Sequence, residues 1–307
     1  MTIKLKDICN QQDRLAPGHR ACTGCSETTI VRQVLQAING PVVVAAPTGC
    51  LEIITSPYPF TSWRVPWIHV AFESVASVLA GIETANRSLV KQGKIKDQDI
   101  HFVAFAGDGA TYDIGLQFIS GAIERGHKFL YICLNNEAYM NTGIQRSSAT
   151  PQGAWTTTSP VGKVLPGKTQ PRKDLTAIIA AHNIPYVAQA APHAWRDLMT
   201  KVQKAVAADG PSFINVLSPC PRGWRYEPNE TIAISRLAAD SCVWPLYEVD
   251  HGSCRLNYKP SQRSPLIDWL KSQGRFGHLL RPENKPLVDE LENWVANEWA
   301  RLVKRCQ

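Results

Sequence analysis

Two sets of residues in this 307-residue chain have the types and spacing to do chemistry. The first is Gly107-Asp108-Gly109, directly after a short apolar run, with Asn135-Asn136 directly after the next such run. Glycines let a backbone approach a pyrophosphate, and the amides that open a following helix favour its charge. Asp108 and Asn136 offer hard oxygens to Mg²⁺, which bridges phosphates. Asp108 is therefore expected at a solvent-accessible strand end. The second set is Cys22-Thr23-Gly24-Cys25, Cys50 in Pro47-Thr48-Gly49-Cys50, and Cys220 in Ser218-Pro219-Cys220-Pro221. A C-x-x-C pair serves zinc knuckles, redox dithiols and iron–sulfur sites alike. The two further thiols stand in Gly- or Pro-bounded loops. Four thiolates suffice for a zinc ion or for a cubane cluster, and spacing alone leaves both open.

Both sets need strand ends to hold them. Continuously apolar runs at residues 41–46, 101–106, 129–134, 186–189 and 211–217 read as strands buried on both faces. Between them, helical periodicity covers residues 28–38, 72–89, 114–125, 175–182 and 194–208. Within 72–89 the small residues Ala76, Ala80, Gly81 and Ala85 suggest a face lying close against a sheet. Residues 55–68, rich in Ser, Pro, Thr and Trp, read as a loop over a site. The alternation argues an α/β fold with a doubly wound, mainly parallel sheet. Residues 1–240, after an irregular lead-in over 1–21, form the expected ligand-binding domain. Residues 241–307 read as an arm or hairpin and an amphipathic helix, carrying Leu291, Trp294, Val295, Trp299 and Leu302, that dock other chains.

Hydrophobic residues at 44% and charged residues at 19% exclude disorder. The net charge of +7 is scattered, with no basic run to track a nucleic acid. No apolar stretch approaches the roughly 18 residues of a membrane span. A soluble, cytoplasmic protein is expected. Nine cysteines, odd in number and unevenly spaced, do not read as a disulfide framework. Cys133, Cys242, Cys254 and Cys306 are expected as buried or incidental thiols. Tyr58, Trp63, Trp67 and Trp155 read as loop packing, while His19 and His69 either line a site or are simply hydrogen-bonded.

The strings LAPGHRACTGC, PTGCLEIITSPYPFTSWRVPWIHVAFE, GDGATYDIGLQ, NNEAYMNTGIQRSSATPQGAWTTTSP and LSPCPRGWR carry a family likeness. From Leu15 to about Tyr247 the chain resembles the β subunit of the 2-oxoacid:ferredoxin oxidoreductases, most closely those acting on pyruvate. The resemblance implies thiamine diphosphate held by Gly107, Asp108, Gly109, Ala110, Asn136, Ala138, Asn141 and Thr142. It implies Mg²⁺ on Asp108, the Asn136 side chain and the Ala138 carbonyl, and a 4Fe-4S cluster on Cys22, Cys25, Cys50 and Cys220. Asn141 would face the reacting carbon. Implied partners are α, γ and δ subunits, ferredoxin, a 2-oxo acid and coenzyme A. A member acting on oxalate or another 2-oxo acid, a non-redox thiamine decarboxylase or synthase, and a zinc-holding non-enzyme are the rival readings. Three positions depart from the family pattern: Asn135 where Asp is common, Ala110 in place of Gly or Trp, and Ser26 where Gly usually follows the second cysteine.

Overall fold

The computed structural model describes residues 11–307 together with Lys6 and Ile8. Most of the lead-in expected before residue 11 lies outside the described residues. Helix α1 (Ser26–Ala37) is followed by β1 (Val42–Pro47), the short α2 (Cys50–Thr55), β2 (Trp67–Val70), α3 (Val75–Lys91) and β3 (His101–Gly107). A π-helical turn at Gly109–Asp113 leads into α4 (Leu116–Glu124), β4 (Leu130–Asn135), α5 (Leu175–Ala180), β5 (Tyr186–Ala190), α6 (Trp195–Ala207) and β6 (Ser212–Leu217). Then come α7 (Pro221–Trp224), α8 (Thr231–Asp240), β7 (Tyr247–Asp250), β8 (Ser253–Leu256), α9 (Leu266–Lys271) and α10 (Lys285–Arg305).

Among the described residues the strands form one eight-stranded sheet in the order β2-β1-β3-β4-β6-β5-β7-β8. The first six are parallel, and β7 and β8 close one edge antiparallel. Alternate residues sort to two faces, as the pleat requires. Val103, Phe105, Leu130, Ile132, Ile214 and Val216 pack beneath α1 and α6. Phe102, Ala104, Ala106, Tyr131, Cys133 and Phe213 pack beneath α3, α4 and α5. The expected doubly wound sheet is thus the one observed.

Two local expectations change. Residues 55–68 are largely loop as read, but the chain goes straight on into β2, an edge strand that pairs with β1 and leaves Ile68 and His69 exposed. A four-residue edge strand with two exposed positions lacks the apolar run that marks a buried one. On α3, Ala76 and Ala80 enter the core with Val75 and Leu79, whereas Gly81 and Ala85 are exposed. At 3.6 residues per turn those two fall on the opposite side of the helix from the buried stripe.

Residues beyond 240 build onto this body. Strand β7 pairs with β5, so the division expected at residue 240 runs across the sheet. Trp244, Leu266, Trp269, Phe276, Leu291 and Val295 share a core with Ala154, Ala191, Leu217 and Trp224. Cys254 and Cys306 form a disulfide that ties β8 to the end of α10. That corrects their reading as incidental thiols, since two residues 52 apart in sequence meet only through the tertiary fold. Cys133 and Cys242 are buried free thiols. Among the described residues no helix is long and apolar enough to cross a membrane.

Candidate active site

Four parallel strands end beside one another, and Asp108, Asn136, Cys50 and Cys220 follow their carboxyl ends, whereas Cys22 and Cys25 stand before α1. Open α/β sheets bind ligands in that position. In the register of β3 and β4, Gly107 pairs with Leu134, which sets Asp108 level with Asn135. Asn135 in turn pairs with Leu217 of β6, and its carbonyl accepts from the Ser218 amide at 2.7 Å. That brings the Cys220 loop alongside Asn136. Thr48, Gly49 and Cys50 follow β1.

A cavity of about 120 Å³ opens here, lined by Gly107, Gly109, Ala110, Asn136, Ala138, Asn141 and Thr142 among others, with Cys50 and Glu27 also in its wall. Gly109 is required by close approach, because a Cβ there would stand 2.5 Å from the Tyr139 ring. A π-helical turn occupies Gly109–Asp113, and the regular helix expected from residue 114 begins at Leu116.

Asp108 is not solvent-accessible: it is fully buried. Ser147 Oγ donates to its Oδ2 at 2.5 Å, and its Oδ1 has no partner. Burial raises its pKa to about 8, against the opposing pull of the Ser147 hydroxyl. Asn136 donates from Nδ2 to Glu27 Oε1 at 3.1 Å, and its Oδ1 is likewise unpartnered. Two buried oxygen acceptors left unsatisfied at neighbouring strand ends are costly unless something binds them. Their hard-oxygen chemistry fits Mg²⁺. Asn135 satisfies itself instead: it donates to Tyr112 Oη at 3.0 Å and accepts from the Glu137 amide at 3.1 Å. This arrangement uses the amide donor, where an Asp would have to accept from the Tyr112 hydroxyl instead. Asn141 is exposed at the cavity mouth, whereas the Thr142 hydroxyl donates back to Gln145 Oε1 at 2.5 Å.

The four cysteines also converge. Cys22 is exposed, and Cys25, Cys50 and Cys220 are half-buried. Burial raises the thiol pKa of Cys25 and Cys50 far above normal, with Glu27 and the neighbouring sulfurs adding to the shift. Cys220 is pushed up to about 11 by burial, opposed by hydrogen bonds from the Gly223 and Arg222 amides at the start of α7. The Glu27 amide does the same for Cys25. Gly24 makes the C-x-x-C turn possible: at φ 75°, a Cβ would meet the Pro228 carbonyl oxygen at 2.4 Å. Ser26, one of the three departures, has a task of its own: its Oγ lies 2.8 Å from Ser218 Oγ and donates to the Pro219 carbonyl at 2.9 Å. It pins the Cys25 loop to the Cys220 loop. Among the described residues no three His, Cys, Asp or Glu side chains stand close enough for one metal ion.

Sequence reasoning missed Glu27, Ser147 and Glu137. Glu27 is buried, its Oε2 is unpartnered, and burial raises its pKa to about 7. Its place directly after C-x-x-C-S was the signal that could have found it. Of the remaining candidates, His69 bonds Thr48 Oγ1 at 3.0 Å and His19 lies 3.4 Å from Arg32. Trp63 and Trp67 stack as expected, and Trp155 packs under Arg225, but Tyr58 is 96% exposed.

A family profile described as thiamine pyrophosphate enzyme, C-terminal TPP binding domain, matches residues 47–216. Over 270 residues the chain is 52% identical to pyruvate synthase subunit PorB of Methanocaldococcus jannaschii, covering 88% of this chain and 91% of that one. The chain belongs to this family of 2-oxoacid:ferredoxin oxidoreductase subunits. Other members include pyruvate synthase subunit PorB of Thermotoga maritima, 48% identical over 99% of this chain and 96% of its own. Ketoisovalerate oxidoreductase subunit VorB of Pyrococcus abyssi is 42% identical over 95% and 93%. The fold of the family is also seen in the 2-oxoglutarate:ferredoxin oxidoreductase of Magnetococcus marinus, with a TM-score of 0.59, 17% identity and coverage of 91% and 95%.

Proposed function

We propose that this chain is the subunit that holds thiamine diphosphate, Mg²⁺ and a 4Fe-4S cluster in an enzyme that oxidatively decarboxylates pyruvate, or runs the reverse synthesis. In that reaction the cluster would supply the one-electron path to ferredoxin, and coenzyme A would take the acyl group. The carrying observation is adjacency: the strand ends that bear the unsatisfied oxygens of Asp108 and Asn136 also gather Cys22, Cys25, Cys50 and Cys220. A non-redox thiamine enzyme leaves those four thiols without a task.

When bound, thiamine diphosphate supplies the nucleophile and electron sink for decarboxylation, and a cluster supplies a one-electron acceptor. The chain's own residues prepare that chemistry. Asp108, Asn136 and the Ala138 carbonyl would hold Mg²⁺, and Gly107 and Gly109 leave room for the diphosphate. Asn141 at the mouth offers an amide to the reacting centre. The amides of Gly223 and Arg222 beside Cys220, and of Glu27 beside Cys25, are placed to tune the potential of a cluster on those sulfurs. A single tetrahedral zinc, with bonds of about 2.3 Å, would need its thiolates within roughly 4 Å of one another. No three of the described His, Cys, Asp or Glu side chains lie that close, so the cubane reading rests on the number of thiols and on the family likeness.

Pyruvate is favoured because relatives at 52% and 48% identity are named pyruvate synthase subunits. The ketoisovalerate relative at 42% supports a branched 2-oxo acid as the second reading. Anaerobic purification, iron and sulfide analysis, and EPR after reduction test the cluster. Zinc in place of iron, or an unchanged signal in Cys220→Ser, would sink that assignment. A screen of pyruvate, branched 2-oxo acids and oxalate with ferredoxin as acceptor then ranks the substrates.

A further inference from the structure

Glu137 stands between Asn136 and Ala138, and the fold holds it at every point. Its backbone is in the left-handed region at φ 65°, uncommon for a residue with a side chain. Its amide donates to Asn135 Oδ1 at 3.1 Å, and its carbonyl accepts from Thr150 Oγ1 at 2.6 Å. The fully buried carboxylate takes one arginine on each oxygen, Arg172 Nη1 on Oε1 and Arg275 Nη2 on Oε2, both at 2.6 Å.

Arg275 comes from the 3₁₀ segment Gly274–Leu280, well beyond β8. Its guanidinium carbon lies 3.9 Å from the centre of the Trp224 ring, and Trp224 Nε1 donates to the Asn136 carbonyl at 2.8 Å. One buried arginine therefore reaches Glu137 directly and Asn136 through a stacked tryptophan. A buried ion pair adds little stability over well-packed apolar side chains, because desolvation offsets the attraction. Stability alone does not explain charge at this point, but fixing the orientation of the two flanking residues does.

We infer that Arg275, acting through Glu137 and Trp224, is a positioning residue for the Mg²⁺–diphosphate loop, and that the C-terminal segment is part of the support of the cofactor site. The inference rests on Asn136 and Ala138 being the Mg²⁺ ligands proposed above. Partners one shell out from a metal typically change its affinity by roughly 10- to 100-fold when lost.

The test uses the assembled enzyme, this chain with its partner subunits, purified anaerobically, with thiamine diphosphate titrated by tryptophan fluorescence across a Mg²⁺ series. Arg275→Gln should raise the half-saturating Mg²⁺ about 10- to 100-fold, with iron content unchanged. Arg275→Lys should recover part of that, because an ammonium keeps the charge on Glu137 but loses the fork and the stacking. If Arg275→Gln does not fold, Arg275→Lys and Glu137→Gln carry the test. A lowered melting temperature with wild-type Mg²⁺ dependence in the variants overturns the inference. A wild-type chain whose cofactor binding ignores Mg²⁺ refutes the underlying ligand assignment, and that result needs no variant.

Discussion

Asp108 is a carboxyl held where water does not reach, with one oxygen on Ser147 and the other unpartnered. Burying an unpaired charge is costly, so without a cation the carboxyl holds its proton up to about pH 8, and a bound cation favours the charged form instead. Asp108→Asn removes the charge while nearly conserving shape. The cofactor-free variant should melt no lower than wild type, yet lose thiamine diphosphate binding at limiting Mg²⁺; stability bought at a binding site commonly shows this trade. Calorimetry and a cofactor titration read the two halves, and wild-type affinity at limiting Mg²⁺ removes Asp108 from the ligand set. Ser26 makes the opposite kind of contribution. Ser26→Ala strands Ser218 and the Pro219 carbonyl in a buried setting, for a loss of about 1–3 kcal/mol. Anaerobic urea unfolding should show that loss, and iron should leave the variant faster in air. Equal rates of iron loss would confine Ser26 to the fold.

At the scale of elements, the loop between Tyr139 and Gln145 is closed by their mutual backbone bonds and by the pairing of Thr142 with Gln145. That internal bonding leaves Asn141 free at the cavity mouth. Asn141→Ala should lower kcat on the order of 100-fold while cofactor affinity holds, as for a donor to charge that develops during reaction. A pure KM effect would limit Asn141 to substrate binding. Away from the site, His193 docks the start of α6 on α8 through a 2.9 Å bond to Ser235 Oγ. Burial, then the Arg236 charge, lowers its pKa from 6.5 to about 4. The unfolded chain takes up this proton below about pH 6.5 and the native chain only near pH 4, so stability falls as pH drops between them. The slope from this group is at most about 1.4 kcal/mol per pH unit. Denaturation at pH 6.5 and pH 5 should show His193→Asn with a shallower acid limb than wild type; an identical limb would assign the loss to other groups.

Over the whole molecule, the described residues form one sheet with one diphosphate-type set of strand ends, and the matched profile covers the C-terminal half of a thiamine site. No second α/β domain stands among them to receive the aminopyrimidine ring. The chain by itself, cluster intact and cofactor supplied, is therefore expected to show no 2-oxo acid oxidation until partner subunits are added. Full activity in its absence of partners would refute this. The aromatic C-terminal helix was expected to dock them, yet Trp294 and Trp299 pack against the chain's own core. Among the described residues the most exposed aromatics are Tyr58 and Phe60, at 96% and 75%, in the loop between α2 and β2.

The parallel sheet, the helices between its strands and the placing of both chemical motifs were legible in the sequence, because buried strands write continuous apolar runs and ligand loops write Gly, Asp, Asn and Cys directly after them. The same local logic marked Asp108, Asn136, Cys50 and Cys220, and the C-x-x-C spacing marked Cys22 and Cys25. It could not tell that Asp108 is buried, since exposure depends on Ser147 and the segments folded over it. Nor could it find β2, whose pairing with β1 and not its composition makes it a strand. The Glu137–Arg275 pair joins residues 138 apart, and the Cys254–Cys306 bond joins residues 52 apart. Such pairings carry no periodicity and no spacing rule. They exist only once the C-terminal segment has packed back on the sheet, so only the tertiary structure decides them.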